Sequence, residues 1–230
     1  MPDNSCDLTS CFLCKHCLSD WKELIAIKKK TLQLKKGTII FKEGNPVEGI
    51  YFITSGSVKV HKQWGDQREL IVRFAKAGDV LGHRGFGATQ VFPVSATCLE
   101  DSKVCYIPYN FLQATLQTNP VFTYRLLQVY AIELQNAEKR MRDLALMEVK
   151  SRIAQALLEI ASLFGTDTEQ YISIPISRQD IASYAGTTYE TVFKLFTNLV
   201  AEDIITSTGK RIKINNTIAL QKLVNEPNIE

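Results

Sequence analysis

Between residues 37 and 108 the hydrophobic positions come in short runs separated by glycine. Ser57-Val58-Lys59-Val60-His61 alternates with period two, and Trp64-Gly65-Asp66-Gln67 has the composition of a turn. Beyond that turn Leu70, Val72 and Phe74 point one way while Ile71 and Arg73 point the other. Two alternating runs around a short turn predict a β-hairpin. Further short strands are expected around 94–99 and 103–107, and evenly spaced strands with turn glycines predict a small antiparallel barrel or roll over residues 25–118. Gly82, Gly85 and Gly87 read as turns rather than as a phosphate loop, because no helix follows them. His61 and His83 read as surface or turn residues.

Pro120 opens a different regime, with neither glycine nor proline until Gly165. Leu127, Tyr130, Leu134, Ala137, Met141 and Leu144 recur at alternating spacings of three and four. That is a coiled-coil seam, flanked by Glu133, Glu138, Lys139, Arg140 and Asp143, and it predicts a dimerisation helix over residues 119–147. Packing of the same helix on its own β domain is the alternative. A second helix follows, with Val149, Ile153, Leu157, Ile160 and Phe164 on one face and Gly165 as its stop.

The C-terminal segment, residues 148–230, carries the most specific pattern. Ser177-Arg178-Gln179-Asp180 resembles a capping box, and the short helix it starts halts at Ala185-Gly186-Thr187 before another helix begins. Short helix, glycine turn and helix make the helix-turn-helix plan. In the second helix Val192, Leu195, Phe196 and Leu199 must face the core, which turns Tyr189, Glu190, Phe193, Lys194 and Thr197 outward. A Glu can accept from a cytosine amino group and a Lys can donate to guanine acceptors, so Glu190 and Lys194, one turn apart, can read adjacent bases. Two strand-like segments, 204–206 and 212–214, flank Thr208-Gly209-Lys210-Arg211, a hairpin whose basic tip suits a phosphate backbone. The candidate DNA contacts are Ser177, Arg178, Thr188, Tyr189, Glu190, Phe193, Lys194, Lys210, Arg211 and Lys213. A solvated helix pair beside a plain hairpin, with Thr187 and Glu190 serving only as a cap, is the plainer alternative.

These stretches resemble a known family. Ser177 to Ala182 and Gly186 to Lys194 look like the winged helix-turn-helix of the Crp/Fnr transcription regulators. Gly37-Thr38-Ile39-Ile40-Phe41-Lys42-Glu43-Gly44 and Tyr51-Phe52-Ile53-Thr54-Ser55-Gly56-Ser57-Val58 are similar to its β-roll sensor. The heptad helix sits where the family's dimerisation helix belongs. The resemblance implies an α+β chain with an N-terminal antiparallel β-roll (a double-stranded, cupin-like β-helix), a long dimerisation helix and a C-terminal winged helix-turn-helix. It also implies a cytoplasmic homodimer that binds palindromic double-stranded DNA near promoters, meets RNA polymerase and responds to a signal. The family's recognition helix carries Glu-Thr-Val-x-Arg; Glu190, Thr191 and Val192 match, while Lys194 replaces the arginine and lacks its planar fork. Phe193 stands where the oxygen-responsive branch usually has serine and can meet a thymine methyl instead.

The cyclic-nucleotide branch resembles Gly-Glu-Leu followed some ten residues on by Arg-Ser-Ala, a carboxylate for the ribose and an arginine for the cyclic phosphate. Here Gly82-His83-Arg84 and Pro93-Val94-Ser95-Ala96 stand in those places, so both charged ligands are missing and cyclic AMP is not expected. Gly82, His83, Arg84 and Ser95 remain candidates for an effector pocket of another kind, the reading of a Crp-like regulator without metal.

Cysteine placement offers the other signal. Cys6, Cys11, Cys14 and Cys17 crowd a leader of 24 residues, leaving only Cys98 and Cys105. Cys11-x-x-Cys14-x-x-Cys17 lets thiolates converge on one centre, which suits an iron–sulfur cluster or zinc. Cys105 looks like the distant fourth cluster ligand of the Fnr branch, with Cys6 as the competing fourth thiol and His16 as a further zinc donor. Unliganded thiols are the third possibility, since a lone strand cysteine is usually a small buried hydrophobe. The same spacing occurs in ferredoxins, but those continue with a fourth cysteine and proline, whereas Leu18-Ser19-Asp20-Trp21 follows here. An electron-transfer protein is therefore the remote alternative.

Charge changes the picture only when it is divided. The whole chain carries +3, yet from Glu148 onward there are eight basic and ten acidic residues. DNA binding must then rest on a local basic surface and be salt-sensitive. Nothing resembles a targeting signal, and no apolar run approaches the roughly 20 residues that span a bilayer. No nucleophile–base or paired-carboxylate constellation argues for an enzyme.

Overall fold

The structure, a computed structural model, describes residues 11–65 and 68–225. The chain divides into two compact units, one formed up to residue 62 and again over 73–136, the other by 63–72 and 137–230. Among the described residues no helix is long and apolar enough to cross a membrane.

The first unit opens with two short helices, α1 (Phe12–His16) and α2 (Trp21–Lys28). The strands β1 (Lys30–Leu34), β2 (Ile39–Phe41), β3 (Gly49–Ser55), β4 (Ser57–Trp64), β5 (Arg68–Lys76), β6 (Val80–Leu81), β7 (Ser95–Cys98) and β8 (Ser102–Pro108) follow. They form two four-stranded antiparallel sheets ordered β1-β8-β3-β6 and β2-β7-β4-β5. The reversal from β3 to β4 requires Gly56 at φ +90°, where a Cβ would lie 2.7 Å from the Ser102 backbone.

Register places Phe52 opposite Cys105 and Ile50 opposite Ile107. These four belong to one apolar cluster with Cys11, Leu13, Cys14, Cys17 and Ile25 of the leader. Leu112 of α3 (Tyr109–Thr118) and Phe122 and Leu126 of α4 (Pro120–Leu146) complete it. Residues 11–25 are thus packed on the outer face of the roll. Trp21 Nε1 donates to Thr115 Oγ1 at 3.0 Å and the Leu18 N–H to Asn119 Oδ1 at 2.9 Å, which pins that packing.

Two expectations for this unit are corrected. His61 and His83 are buried, because each ring has a partner inside the fold: Thr97 Oγ1 for His61 and Glu133 for His83. The alternation in β5 also fails. Ile71 is fully buried whereas Leu70 and Val72 are half-buried, β5 being an edge strand covered partly on both faces.

The second unit holds the end of α4, then α5 (Val149–Phe164), α6 (Arg178–Ala185), α7 (Tyr189–Ala201), the hairpin β9 (Ile205–Thr208) and β10 (Arg211–Ile214), and α8 (Thr217–Asn225). Ile153, Leu157 and Ile160 of α5, Ile181 of α6, Val192, Phe196 and Leu199 of α7, and Leu220 of α8 are all buried. The α4–α5 junction is held by arginines aimed at helix C-termini, where carbonyls lack intrahelical donors. Arg152 donates to Met147 O at 2.8 Å and to Ala185 O at 2.9 Å. Arg140 donates to Tyr184 O at 2.6 Å, with its guanidinium 4.0 Å over the Tyr184 ring.

Along α4 the expected seam splits into two faces. Leu127, Leu134 and Met141 are 60–62% exposed, with Tyr124 exposed one turn before Leu127. Tyr130, Ala137 and Leu144 are half-buried instead. Tyr130 packs against the roll cluster and donates to His83 O, and Leu144 lies where a Cβ on Gly186 would come within 2.6 Å of it. The flanking residues are not all solvated either: Asp143 is buried and accepts from Arg142 and from Gln155.

Candidate nucleic-acid interface and signal sites

Local chemistry sets the geometry of the reading head. Ser177 Oγ accepts from the Asp180 N–H at 3.0 Å, and the Asp180 carboxylate accepts in return from the Ser177 N–H at 3.4 Å, the reciprocal cap that starts α6. Gly186 ends α6 at φ +64°, a left-handed conformation that a side chain resists. Thr188 then caps α7, its Oγ1 accepting from the Thr191 N–H at 3.3 Å. With Val192, Phe196 and Leu199 buried, the opposite face of α7 presents Tyr189, Glu190, Phe193, Lys194 and Thr197 to solvent.

Each expected contact residue has a definite place. Ser177 and Thr188 use their hydroxyls on the two helix starts. Arg178 Nη2 donates to Ser207 Oγ at 3.1 Å, and its guanidinium lies 5.4 Å from the Phe196 ring, so it braces α6 against β9 and the core. The Glu190 carboxylate turns back on its own helix start, where its own backbone N–H, the Thr188 hydroxyl and the Lys194 charge hold it below the usual carboxylate range. Lys194 is exposed on the same face, and Lys210 is exposed on the two-residue turn between β9 and β10. Arg211 stacks 4.2 Å over the Tyr171 ring and donates to Asp167 and Glu169 at 2.8 Å each. Lys213 is half-buried on β10. The surface offered to DNA is therefore the α7 face with Lys194, plus Lys210 at the wing tip.

A cavity of about 10 Å³ is lined by Arg73, Gly82, His83, Arg84, Phe92 and neighbouring residues. That is room for about one water, where a small-molecule site needs ~300 Å³ or more. Phe41 and Phe92 stack 4.2 Å apart across it. Ser95 lies outside the lining and accepts from the Glu43 N–H at 2.9 Å. His83 and Arg84 turn instead to a residue that sequence reasoning placed on a solvated flank. Glu133 Oε2 accepts from His83 Nε2 at 3.0 Å and from Arg84 Nε at 2.6 Å, and Oε1 lies 3.1 Å from Arg73 Nε. Burial alone would raise the Glu133 carboxyl, but the His83 hydrogen bond and the Arg73 and Arg84 charges outweigh it and hold it at about 2. No local signal marks Glu133, because all three partners are about fifty residues away or more.

Cys11, Cys14, Cys17 and Cys105 are all buried in the one apolar cluster described above, and Cys6 lies outside the described residues. Cys11 and Cys17 are the extended residues that flank α1 and Cys14 lies within it, so one short helix and its two ends carry all three thiols. Burial, and then the nearby Cys11, push the Cys17 thiol up to about 12, against a lowering by Lys22. Thiolates gathered here need a compensating cationic centre, which a soft metal cluster supplies. No three His, Cys, Asp or Glu among the described residues surround a single metal-ion position.

Residues 31–119 match the cyclic nucleotide-binding domain family and residues 151–223 the Crp-like helix-turn-helix domain. The chain is 30% identical to the transcriptional activator protein Anr of Pseudomonas protegens, over 88% of this chain and 84% of that protein. It is 31% identical to electron transport regulator A of Shewanella oneidensis, over 81% of this chain and 74% of that protein. The chain belongs to the Crp/Fnr family of transcription regulators. The solved structure of FixK2 from Bradyrhizobium japonicum superposes with a TM-score of 0.75 at 26% identity, covering 87% of this chain and 99% of that one. Crp/Fnr membership makes the protein a DNA-binding transcription regulator and not an enzyme, and the α+β roll, long helix and helix-turn-helix follow the family plan.

Proposed function

We propose that the chain is a homodimeric, cytoplasmic Crp/Fnr regulator that reads a palindromic operator with two copies of α7 and answers to a signal received at the cysteine leader. The observation that carries dimerisation is the exposed stripe of Tyr124, Leu127, Leu134 and Met141 on α4, the helix that leads through Arg140 and Arg152 into the reading head. A self-complementary apolar stripe is the surface an isologous two-fold interface uses. Pairing through α4 sets the separation of two α7 helices, which must match half-sites one DNA turn apart. DNA binding at a promoter then brings RNA polymerase within reach. Leu134→Asp tests this: the variant becomes monomeric and loses operator binding, and full binding by such a monomer overturns the reading.

For the signal, Cys11, Cys14, Cys17 and Cys105 would hold an iron–sulfur cluster, which when bound supplies an oxidisable centre. The chain's own part is to keep four thiols in a water-poor cluster whose other walls are Phe52, Phe122 and Leu126. The last two belong to α4, so rearranging the thiols moves the packing of the pairing helix. The small size of the cavity beside His83 and Arg84 favours the Fnr-like reading over a small-molecule effector there. Anaerobic purification with iron and sulfide analysis tests it: iron and sulfide that are lost in Cys14→Ser support it, and metal-free protein that binds DNA regardless of oxygen overturns it.

A further inference from the structure

The reading face of α7 carries two large aromatic rings that nothing in the fold covers. Tyr189 is 42% and Phe193 50% exposed, and their rings stack with centroids 6.3 Å apart and planes 25° apart. They sit one turn apart at i and i+4, so the pair is built into the helix. The Arg178 guanidinium, 5.9 Å from the Phe193 ring, supports it from the side of α6. The polar groups around the pair are committed elsewhere. Glu190 folds back on the helix start, and the Thr197 hydroxyl donates to Phe193 O at 3.0 Å. The outward face of α7 thus carries the Tyr189–Phe193 ring pair with Lys194 beside it, among the exposed polar side chains of Glu190, Thr197 and Asn198.

Two half-exposed rings on the outward face of the proposed recognition helix suit an apolar contact in a groove, and Lys194 beside them suits an anionic partner. In the major groove the apolar group that distinguishes one base pair from another is the pyrimidine C5-methyl: thymine has it and cytosine lacks it. We propose that Tyr189 and Phe193 form a two-ring reader of the pyrimidine C5-methyl, so that each half-site carries a thymine facing the pair and 5-methylcytosine is preferred to cytosine at that position. The inference rests on α7 being the recognition helix. It assigns base discrimination at that step to dispersion and desolvation rather than to hydrogen bonding.

The test needs only duplexes that differ by one methyl. Full-length protein, prepared with and without oxygen, is used to enrich duplexes from a random pool. Each thymine of the enriched site is then replaced singly by deoxyuridine and affinity is measured by fluorescence anisotropy. At one position per half-site deoxyuridine weakens binding about fourfold, the worth of one methyl group removed from water. At that position 5-methyldeoxycytidine binds more tightly than deoxycytidine by a similar factor. In Phe193→Ser, a change at a half-exposed position, both preferences vanish. An enriched site at which no thymine responds to deoxyuridine, or a Phe193→Ser protein that keeps the methyl preference, overturns the proposal. A pool from which nothing is enriched under either condition refutes instead the recognition-helix reading beneath it.

Discussion

Replacing Glu133 by Gln keeps the shape of the side chain and removes the negative charge that faces Arg73, Arg84 and the His83 ring. In the wild type the carboxyl is held at about 2 in the fold and reverts towards 4.5 on unfolding. A group whose folded pKa is depressed contributes stability above its unfolded value and loses it as pH falls towards the folded value. The difference corresponds to about 3 kcal/mol at pH 7, with about 1 kcal/mol gone by pH 4 and about 2 kcal/mol by pH 3. Desolvation of Arg73, once its counter-charge is lost, acts in the same direction. The chain has two tryptophans, Trp21 in α2 and the exposed Trp64. In a Trp64→Phe background, urea unfolding followed by the fluorescence of Trp21 therefore reports the first unit alone. Glu133→Gln should lower its stability by about 3 kcal/mol at pH 7, and the gap to wild type should narrow steadily between pH 5 and pH 3. A gap below about 0.5 kcal/mol, or one that does not change with pH, would refute the electrostatic account and leave Glu133 as a packing residue.

Other perturbations probe the reading head. Ser177→Ala removes the acceptor that starts α6 and should destabilise the second unit by about 1 kcal/mol, measured by thermal unfolding. Gly186→Ala forces a side chain to φ +64° against Leu144, and should cost about 1–2 kcal/mol or more in the same assay and weaken DNA binding by displacing α7. Glu190→Ala should relax preference at one base pair by about 1–3 kcal/mol in competition binding, whereas a uniform loss on all duplexes would make the residue a cap only. Lys210→Ala should weaken binding evenly across sequences and lower the slope of log affinity against log salt by about 1.

How much of this was legible along the chain depends on the range of the interactions. Ser177 with Asp180, Gly186, and the Val192–Phe196–Leu199 face act within a turn or two, and the helix-turn-helix could be read from them. The β-roll followed from alternation and turn glycines, except at β5, where an edge strand covered on both faces does not alternate. Heptad spacing found α4 but merged its two faces. A helix that packs on its own domain and also offers a stripe outward carries two interleaved patterns, and Tyr130, Ala137 and Leu144 are half-buried within the chain's own fold. The Glu133 site was invisible, since Arg73, His83 and Arg84 converge on it from distant strands and turns while its neighbours in sequence are those of a heptad flank. Helix α8, of nine residues, also escaped notice. Cys105 was tied to the leader thiols only through family resemblance; the strand register that sets it opposite Phe52, in their cluster, supplies the physical reason.

The central claim is that two copies of this chain read DNA together. The most direct measurement is the sequence enriched from a random duplex pool by the full-length protein, with the stoichiometry of the complex determined by analytical ultracentrifugation. The account predicts an inverted repeat with half-site centres about 10 base pairs apart and two chains per duplex. A single unrepeated half-site bound by one chain, with affinity unchanged by Leu134→Asp, would contradict it.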